Sequence, residues 1–359
     1  MQGDDADKPA PKSNEKTPEK APEKNAVRRV KPSSVVAITG PSSFLGSNLI
    51  GLLEEDSRTT RIVALGTEPP KTAQKKTRFY QIDFTEPSAE TKIAEILAAE
   101  RAETLVHLAF PSSPSHAQAW AHELESVGTM HLLVAARQAG IRKLVQWSHT
   151  MLYGADPTNP NFLSENRPLR ADVLEPFFAD KIEAEREAAR FGQRSPGSVV
   201  TILRTAPILG PTVTNFLTRY LSRKLVPTML GFDPLLQFVH EVDAIAAFKL
   251  AMDRDVPGTF NIVAEGVLPL STVIKLAGRV DIPIPHPIAE RANGLLWMAQ
   301  LSEAPTAFLK YLRFLCVADG DHARERMRFE PAYTTREALM DFIHAQRLRE
   351  VRLLQEAPR

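Results

Sequence analysis

From Val35 onward the chain alternates two hydrophobic rhythms. A short β-branched apolar run at residues 35–38 and further segments at 61–65, 78–83, 104–108, 143–148 and 198–203 are candidate strands. Between them, residues 88–100, 117–139 and 177–191 repeat apolar positions at helical spacing. Such alternation predicts a parallel sheet covered by helices on both faces, and right-handed crossovers then put a ligand at the carboxyl ends of the strands. The first unit is the most explicit. Val35, Val36, Ala37 and Ile38 lead into Thr39 and Gly40, and Gly46 follows among Phe44, Leu45, Leu49, Leu52 and Leu53 at helical spacing. A tight turn into a helix presents free N–H groups at the positive end of the helix dipole, which suits a dinucleotide pyrophosphate. Gly40 permits the turn and Gly46 lets the helix lie against the strand, whereas the glycine expected at position 43 is Ser43.

After Pro207 the rhythm changes. A helix is expected over 215–224, then a Pro-rich loop, a strand over 237–240, a helix over 242–252 and a strand over 259–263. The remainder reads as mainly helical, with Ser271 as an N-cap, Gly278 closing that helix, and Thr335 opening a basic terminal helix.

Composition narrows the function classes. With 359 residues, 43% of them hydrophobic and 24% charged, the chain can build one large α/β domain with a smaller lobe. A net charge of +1 provides no field to recruit nucleic acid or an anionic membrane. The single cysteine, Cys316, excludes an internal disulfide and a multi-cysteine zinc site, and no metal site is expected. No apolar run approaches the roughly 20 residues that span a bilayer, and the start lacks a hydrophobic signal core, so a cytoplasmic location is expected. Residues 1–33, rich in Lys, Glu, Asp and Pro, are expected to form a disordered charged tail, with Arg28, Arg29 and Lys31 solvated at its end. No G-K-[ST] follows the first turn, which argues against a P-loop.

The opening turn resembles the T-G-x-x-G-x-x-G signature of extended short-chain dehydrogenases and reductases, the branch that holds the NAD-dependent epimerases and dehydratases. The similarity continues in order: Q-I-D-F at 81–84, L-V-H-L-A at 105–109, G-T-M-H-L-L-V-A-A from Gly128, V-Q-W-S-H-T-M-L-Y-G at 145–154, L-R-T-A-P-I-L-G-P from Leu203, F-V-H-E-V-D from Phe238 and G-T-F-N-I from Gly258. The resemblance implies a Rossmann-like doubly wound parallel sheet with a smaller, mainly helical C-terminal substrate lobe. Residues 34–206 and 236–264 would form the NAD(P)-binding domain, 207–235 and 265–345 the lobe, and 346–359 the helix end and tail. It also implies cofactor contacts at Thr39, Gly40, Ser42, Ser43, Phe44, Leu45 and Gly46 in the turn, at Asp83 and Phe84 near the adenine, at Leu108 and Ala109 beneath the cofactor, and at Lys181. Relatives often pair as homodimers through the helices matching 117–139 and 177–191.

The departures fall on the working positions. The family's proton donor is a Tyr four residues before a Lys; here F-F-A-D-K keeps Lys181 and puts Phe177 in the Tyr position. Phenylalanine cannot transfer a proton. The family's Ser falls on His149, between Ser148 and Thr150, and Glu125 stands where an Asn is usual. His149 is expected either to act as acid or base or to fill space; Tyr153 and His107 read as structural. The second strand ends in Gly66 and Thr67 without the carboxylate that holds the NAD ribose, which leaves NAD or NADP open, with Lys71, Lys75, Lys76 and Arg78 as candidate cations. Pro207 and Leu236 replace the Asn and Arg that bind nucleotide sugars, and Phe216, Met229 and Phe232 lie nearby in sequence, so a less charged ligand is favoured. These features suggest an atypical oxidoreductase or epimerase-like enzyme acting on a small carbonyl, alcohol or sugar-like substrate, with Lys181 holding the ribose and His149 or Thr150 at the reacting oxygen. The alternative is a non-catalytic NAD(P) sensor or scaffold.

Overall fold

A computed structural model describes residues 35–356; the tail expected over residues 1–33 and the last three residues lie outside them. Seven strands form one sheet: β1 (Val35–Thr39), β2 (Arg61–Gly66), β3 (Thr77–Gln81), β4 (Thr104–His107), β5 (Lys143–His149), β6 (Val199–Thr205) and β7 (Gly258–Ile262). Their order is β3-β2-β1-β4-β5-β6-β7 and every pairing is parallel. The chain is therefore doubly wound, reversing direction at β1 and β4, where such sheets open a crevice for ligands.

Alternation along each strand explains the continuous apolar runs. On β1, Val36 and Ile38 face α1 (Phe44–Glu55), meeting Leu45, Leu49 and Leu53, while Ala37 faces the opposite cluster with Val63 and Leu105. That second face is covered by α2 (Ala89–Ala99), through Ile93 and Leu97, and by the long helical stretch after β4. The single helix expected over 117–139 is divided into α3 (Gln118–His122), a widened π turn (Glu123–Val127) and α4 (Gly128–Gln138). A π turn inserts one extra residue into the helical repeat, and here it carries Glu125. Beside it runs α5 (Pro176–Arg194), started by Pro176 at its first turn, where the missing N–H costs nothing.

The later half adds α6 (Phe216–Ser222), α7 (Glu241–Asp253), α8 (Leu270–Leu276), α9 (His286–Met298) and α10 (Thr335–Glu356). Asn215 starts α6 with a reciprocal capping box with Thr218. Leu217, Leu221, Phe238, Val273, Leu339 and Phe342 form a core separate from the two sheet faces. Two sequence expectations are corrected here. Ser271 is not the N-cap of its helix: α8 begins at Leu270 after Pro269, and the Ser271 hydroxyl donates to Asp233 at 2.7 Å. Residues 280–284 are not helical but form a strand, Val280–Ile284, paired in parallel with Leu225–Met229. Its V-D-I-P-I sequence has no helical period, and proline is compatible with a strand at an edge.

Candidate active site

The turn after β1 is built by contacts that leave no room for larger residues. Gly40 has φ +64°, and a Cβ there would lie 2.7 Å from the Leu108 carbonyl oxygen; a Cβ on Gly46 would collide with the Gly40 carbonyl oxygen. Ser43 explains its own presence. Its hydroxyl donates to the Gly40 oxygen at 2.7 Å and accepts from the Gly46 N–H at 3.0 Å, so it caps α1 where the resembled signature has glycine. Ser42 is exposed at the rim.

Beneath the turn, Thr39 Oγ1 accepts from the backbone N–H groups of Leu108 and Ala109 at 3.0 and 3.2 Å. Having accepted twice, it donates to His107 Nδ1 at 2.8 Å, which puts the imidazole proton on Nε2, bonded to Thr129 Oγ1 at 2.8 Å. Thr129 in turn donates to the Glu125 carbonyl oxygen. Burial pushes the His107 pKa down to about 3, so this ring is neutral and structural. The chain of bonds ties β1, β4 and the π turn into one unit.

At the carboxyl ends of these strands lies a cavity of about 300 Å³, lined by Ser43, Phe44 and Leu45 of the turn, Phe110 beyond β4, His149 of β5 and Pro207 beyond β6. His149 Nε2 is buried there and has no hydrogen-bond partner among the described residues. The His149 ring packs on Trp147 at 4.5 Å, and burial, together with the nearby Lys181 charge, holds its pKa well below the usual histidine range. The ring is neutral at physiological pH. Thr150 opens a short turn into Tyr153 and lines a second cavity of about 160 Å³, which shares Met151, Pro207 and Phe216 with the first.

Lys181 lies outside both cavities. Its ammonium donates to both oxygens of Glu125, at 2.8 and 2.7 Å, and sits 3.9 Å from the centre of the Phe177 ring. The Lys181 and Glu125 side chains are only 2% and 1% exposed. Burial disfavours both charges: it raises Glu125 to about 7 against the pull of Lys181, and it lowers Lys181 against the pull of Glu125. Glu125 is the site residue to which sequence reasoning gave no role. Its signal was the coincidence of two departures, Glu125 and Phe177, on either side of one retained lysine. Nearby, Ser148 donates to Glu185, Arg204 bonds Glu185 and Tyr153, and Tyr153 donates to Asn261. Tyr153 is thus held in a buried network rather than presented to a ligand.

A further hollow of about 330 Å³ lies past β2 and β3, lined by Thr67, Gln81, Ile82, Asp83, Glu86 and Lys92. Asp83 accepts there from the N–H and hydroxyl of Thr85, while Phe84 is buried against Gly128. At Gly66, where no carboxylate stands, a Cβ would lie 2.7 Å from Pro41 Cδ. Of the four candidate cations, two are occupied elsewhere, since Lys76 donates to the carbonyls of Leu53 and Asp56 and Arg78 pairs with Glu100 at 2.9 Å. Lys71 and Lys75 are exposed.

Residues 36–263 match the NAD dependent epimerase/dehydratase family. The chain belongs to that family. An uncharacterized protein of Mycobacterium tuberculosis is 32% identical to this family member over 321 residues, spanning 88% of this chain and 84% of that protein. The 3-diazoavenalumate denitrifying reductase of a Streptomyces species is 26% identical over 313 residues, covering 83% of this chain and 96% of the reductase. Among solved structures, MoeE5 in complex with UDP-glucuronic acid and NAD is 22% identical with a TM-score of 0.69, covering 88% of this chain and 99% of that chain. The UDP-glucose 4-epimerase of Thermotoga maritima with UDP-glucose is 18% identical with a TM-score of 0.68, at the same coverage. These two likenesses establish the family's fold in this chain. Among the described residues, no helix of this epimerase-family chain is long and apolar enough to cross a membrane.

Proposed function

We propose that this chain is an NAD- or NADP-dependent oxidoreductase of the epimerase/dehydratase type with an altered proton-transfer site. The carrying observation is His149, which lines the cavity that the Gly40–Gly46 turn borders and whose buried Nε2 has no hydrogen-bond partner among the described residues. The turn fits a pyrophosphate: Gly40 and Gly46 keep it open, and the α1 N-terminus supplies N–H groups and a positive dipole. Ser43, committed within the turn, narrows it without contributing a charge. Asp83 and Phe84 fit the adenosine end, and Leu108 and Ala109 the floor between.

When bound, the nicotinamide supplies or accepts a hydride. The chain's own contribution is different from the resembled family's. Phe177 donates no proton, and His149, neutral at physiological pH, hydrogen-bonds the reacting oxygen through an imidazole N–H with Thr150 next to it, while the proton that accompanies the hydride in a reduction comes from solvent. Glu125 holds two of the three ammonium N–H groups of Lys181 and leaves the third for the ribose, so Glu125 and Lys181 act together as a positioning pair. The similarity to a curated reductase supports a net reduction.

The second reading, a nucleotide sensor without turnover, is favoured by the full engagement of Lys181 with Glu125 and Phe177. Calorimetric titration with the four nicotinamide nucleotides, followed by transfer of deuterium from 4-deuterated NADH or NADPH to a carbonyl panel, separates them. Binding with label transfer that falls at least tenfold in His149→Ala supports the enzyme; binding without transfer supports the sensor; no binding sinks both. The same reading assigns residues 34–206 and 236–264 to the cofactor domain and 207–235 and 265–345 to the substrate lobe. It also places a homodimer contact on α3, α4 and α5, where Trp120 and Met130 are exposed; light scattering tests it.

A further inference from the structure

The cavity beyond Met151, Pro207 and Phe216 has apolar walls, among them Leu217, Leu236, Phe238, Leu270 and Phe308. Thr150 apart, its neutral polar side chains are already committed to the protein. Tyr311 donates to the Met151 oxygen at 2.6 Å and Tyr220 to the Pro227 oxygen at 2.7 Å. Gln237 donates to the Ala318 oxygen at 3.2 Å and accepts from the Ala318 N–H at 3.0 Å. Asn293 donates to the Ala304 oxygen at 3.1 Å and accepts from Ser302 at 2.8 Å. The charged lining residues, Arg223 and Glu303, stand 3.7 Å apart and more than a third exposed, and Glu303 also pairs with Arg219 at 3.3 Å, so this charge lies at the solvent-exposed part of the lining and not among the apolar walls. Burial also raises the Tyr311 and Cys316 groups, Cys316 to about 12, which leaves both neutral.

A sugar ring brings several hydroxyls that must each find a partner when they leave water, and a diphosphate brings charges that need cations. Beyond the Thr150 hydroxyl and the partly exposed Arg223, the walls supply neither. We infer that this cavity takes an uncharged, predominantly apolar substrate, its body among Phe216, Leu236 and Phe308 and its reacting atom directed past Met151 and Pro207 toward His149. The inference rests on the proposed oxidoreductase reading and names the substrate class of that same site.

The test titrates the full chain, with and without saturating NADPH, with two probes: the uncharged aromatic ketone 4-phenylbutan-2-one and UDP-glucose. Ligand-observed NMR reads the ketone and calorimetry reads both. The ketone is expected to bind and UDP-glucose not to. Leu236→Arg and Leu309→Glu each put a charge on a half-buried wall position and are expected to weaken the ketone at least tenfold, while the affinity for NADPH and the melting temperature stay near wild type. If one variant fails to fold, the other still reads the wall. UDP-glucose binding as tightly as the ketone, or ketone binding unchanged in a folded variant, overturns the inference. Failure of the wild type to bind any of the four nicotinamide nucleotides would instead overturn the oxidoreductase reading, and the ketone arm without cofactor is scored separately from it.

Discussion

Replacing Glu125 by Leu isolates the Lys181 ammonium, and the size of the effect follows from its burial. With 2% of the Lys181 side chain exposed, no water replaces the two lost hydrogen bonds. An unpaired buried ammonium can relax only by giving up its proton, and at pH 8, starting from an ordinary lysine value near 10.4, that costs about 3 kcal/mol. The figure agrees with the roughly 3–5 kcal/mol seen when one partner of a buried pair is removed. For roughly 300 ordered residues, an unfolding entropy of about 2.1 cal/mol/K each converts this to a fall of about 5 °C in melting temperature. The sign of the pH dependence is also determined. A lysine whose folded-state pKa is depressed binds fewer protons folded than unfolded, so the variant gains stability relative to the unfolded chain as pH rises, and at pH 10 the deprotonation costs only about 0.5 kcal/mol. The Glu125→Leu/Lys181→Met double variant is expected to return to within about 1 kcal/mol of wild type, since an apolar pair of similar volume replaces a desolvated ion pair at little cost. Scanning calorimetry at pH 8 and pH 10 measures all three proteins. A Glu125→Leu shift under 1 °C at pH 8, or one that does not shrink at pH 10, would refute the reasoning.

The remaining predictions concern the turn, the adenosine end and the imidazole. Gly46→Ala places a methyl group against the Gly40 carbonyl, so it is expected to cost about 1–3 kcal/mol, as overpacking does, and to weaken nucleotide binding more than tenfold by calorimetry. Gly66→Asp alone is expected to destabilise without raising NAD affinity, because Pro41 Cδ occupies the space; adding Pro41→Ala should restore the melting temperature, and an unstrained single variant would contradict this. Because His149 is neutral across the physiological range, the reductive rate should show no limb between pH 6 and 8 attributable to it; such a limb, lost in His149→Gln, would contradict the assignment. For Glu125, raised to about 7 chiefly by burial, the folded chain takes up a proton between its unfolded value and pH 7. Its contribution to stability is therefore full below the unfolded value and is lost as pH rises through 7. Wild type should lose stability relative to Glu125→Gln from pH 5 to pH 7 in thermal melts.

The chain sequence alone determined the doubly wound sheet, since continuous apolar runs separated by helical periods can be buried in few other ways. It also identified the turn at Gly40 and Gly46, and it raised the expectation that Phe177 and His149 stand where the resembled family has its Tyr and Ser. What it could not contain was the fate of polar groups distant in sequence. That Ser43 caps its own helix, that Pro41 excludes a side chain from Gly66, and that Glu125 satisfies Lys181 across 56 positions are contacts set by packing. The strand at Val280–Ile284 was missed for a related reason: its pairing with Leu225–Met229 lies more than 50 residues away, and neither segment has a strong period of its own. Hydrophobic pattern is local and survives in the sequence; the partner of a buried charge, and the space left for a side chain, exist only once the elements have met.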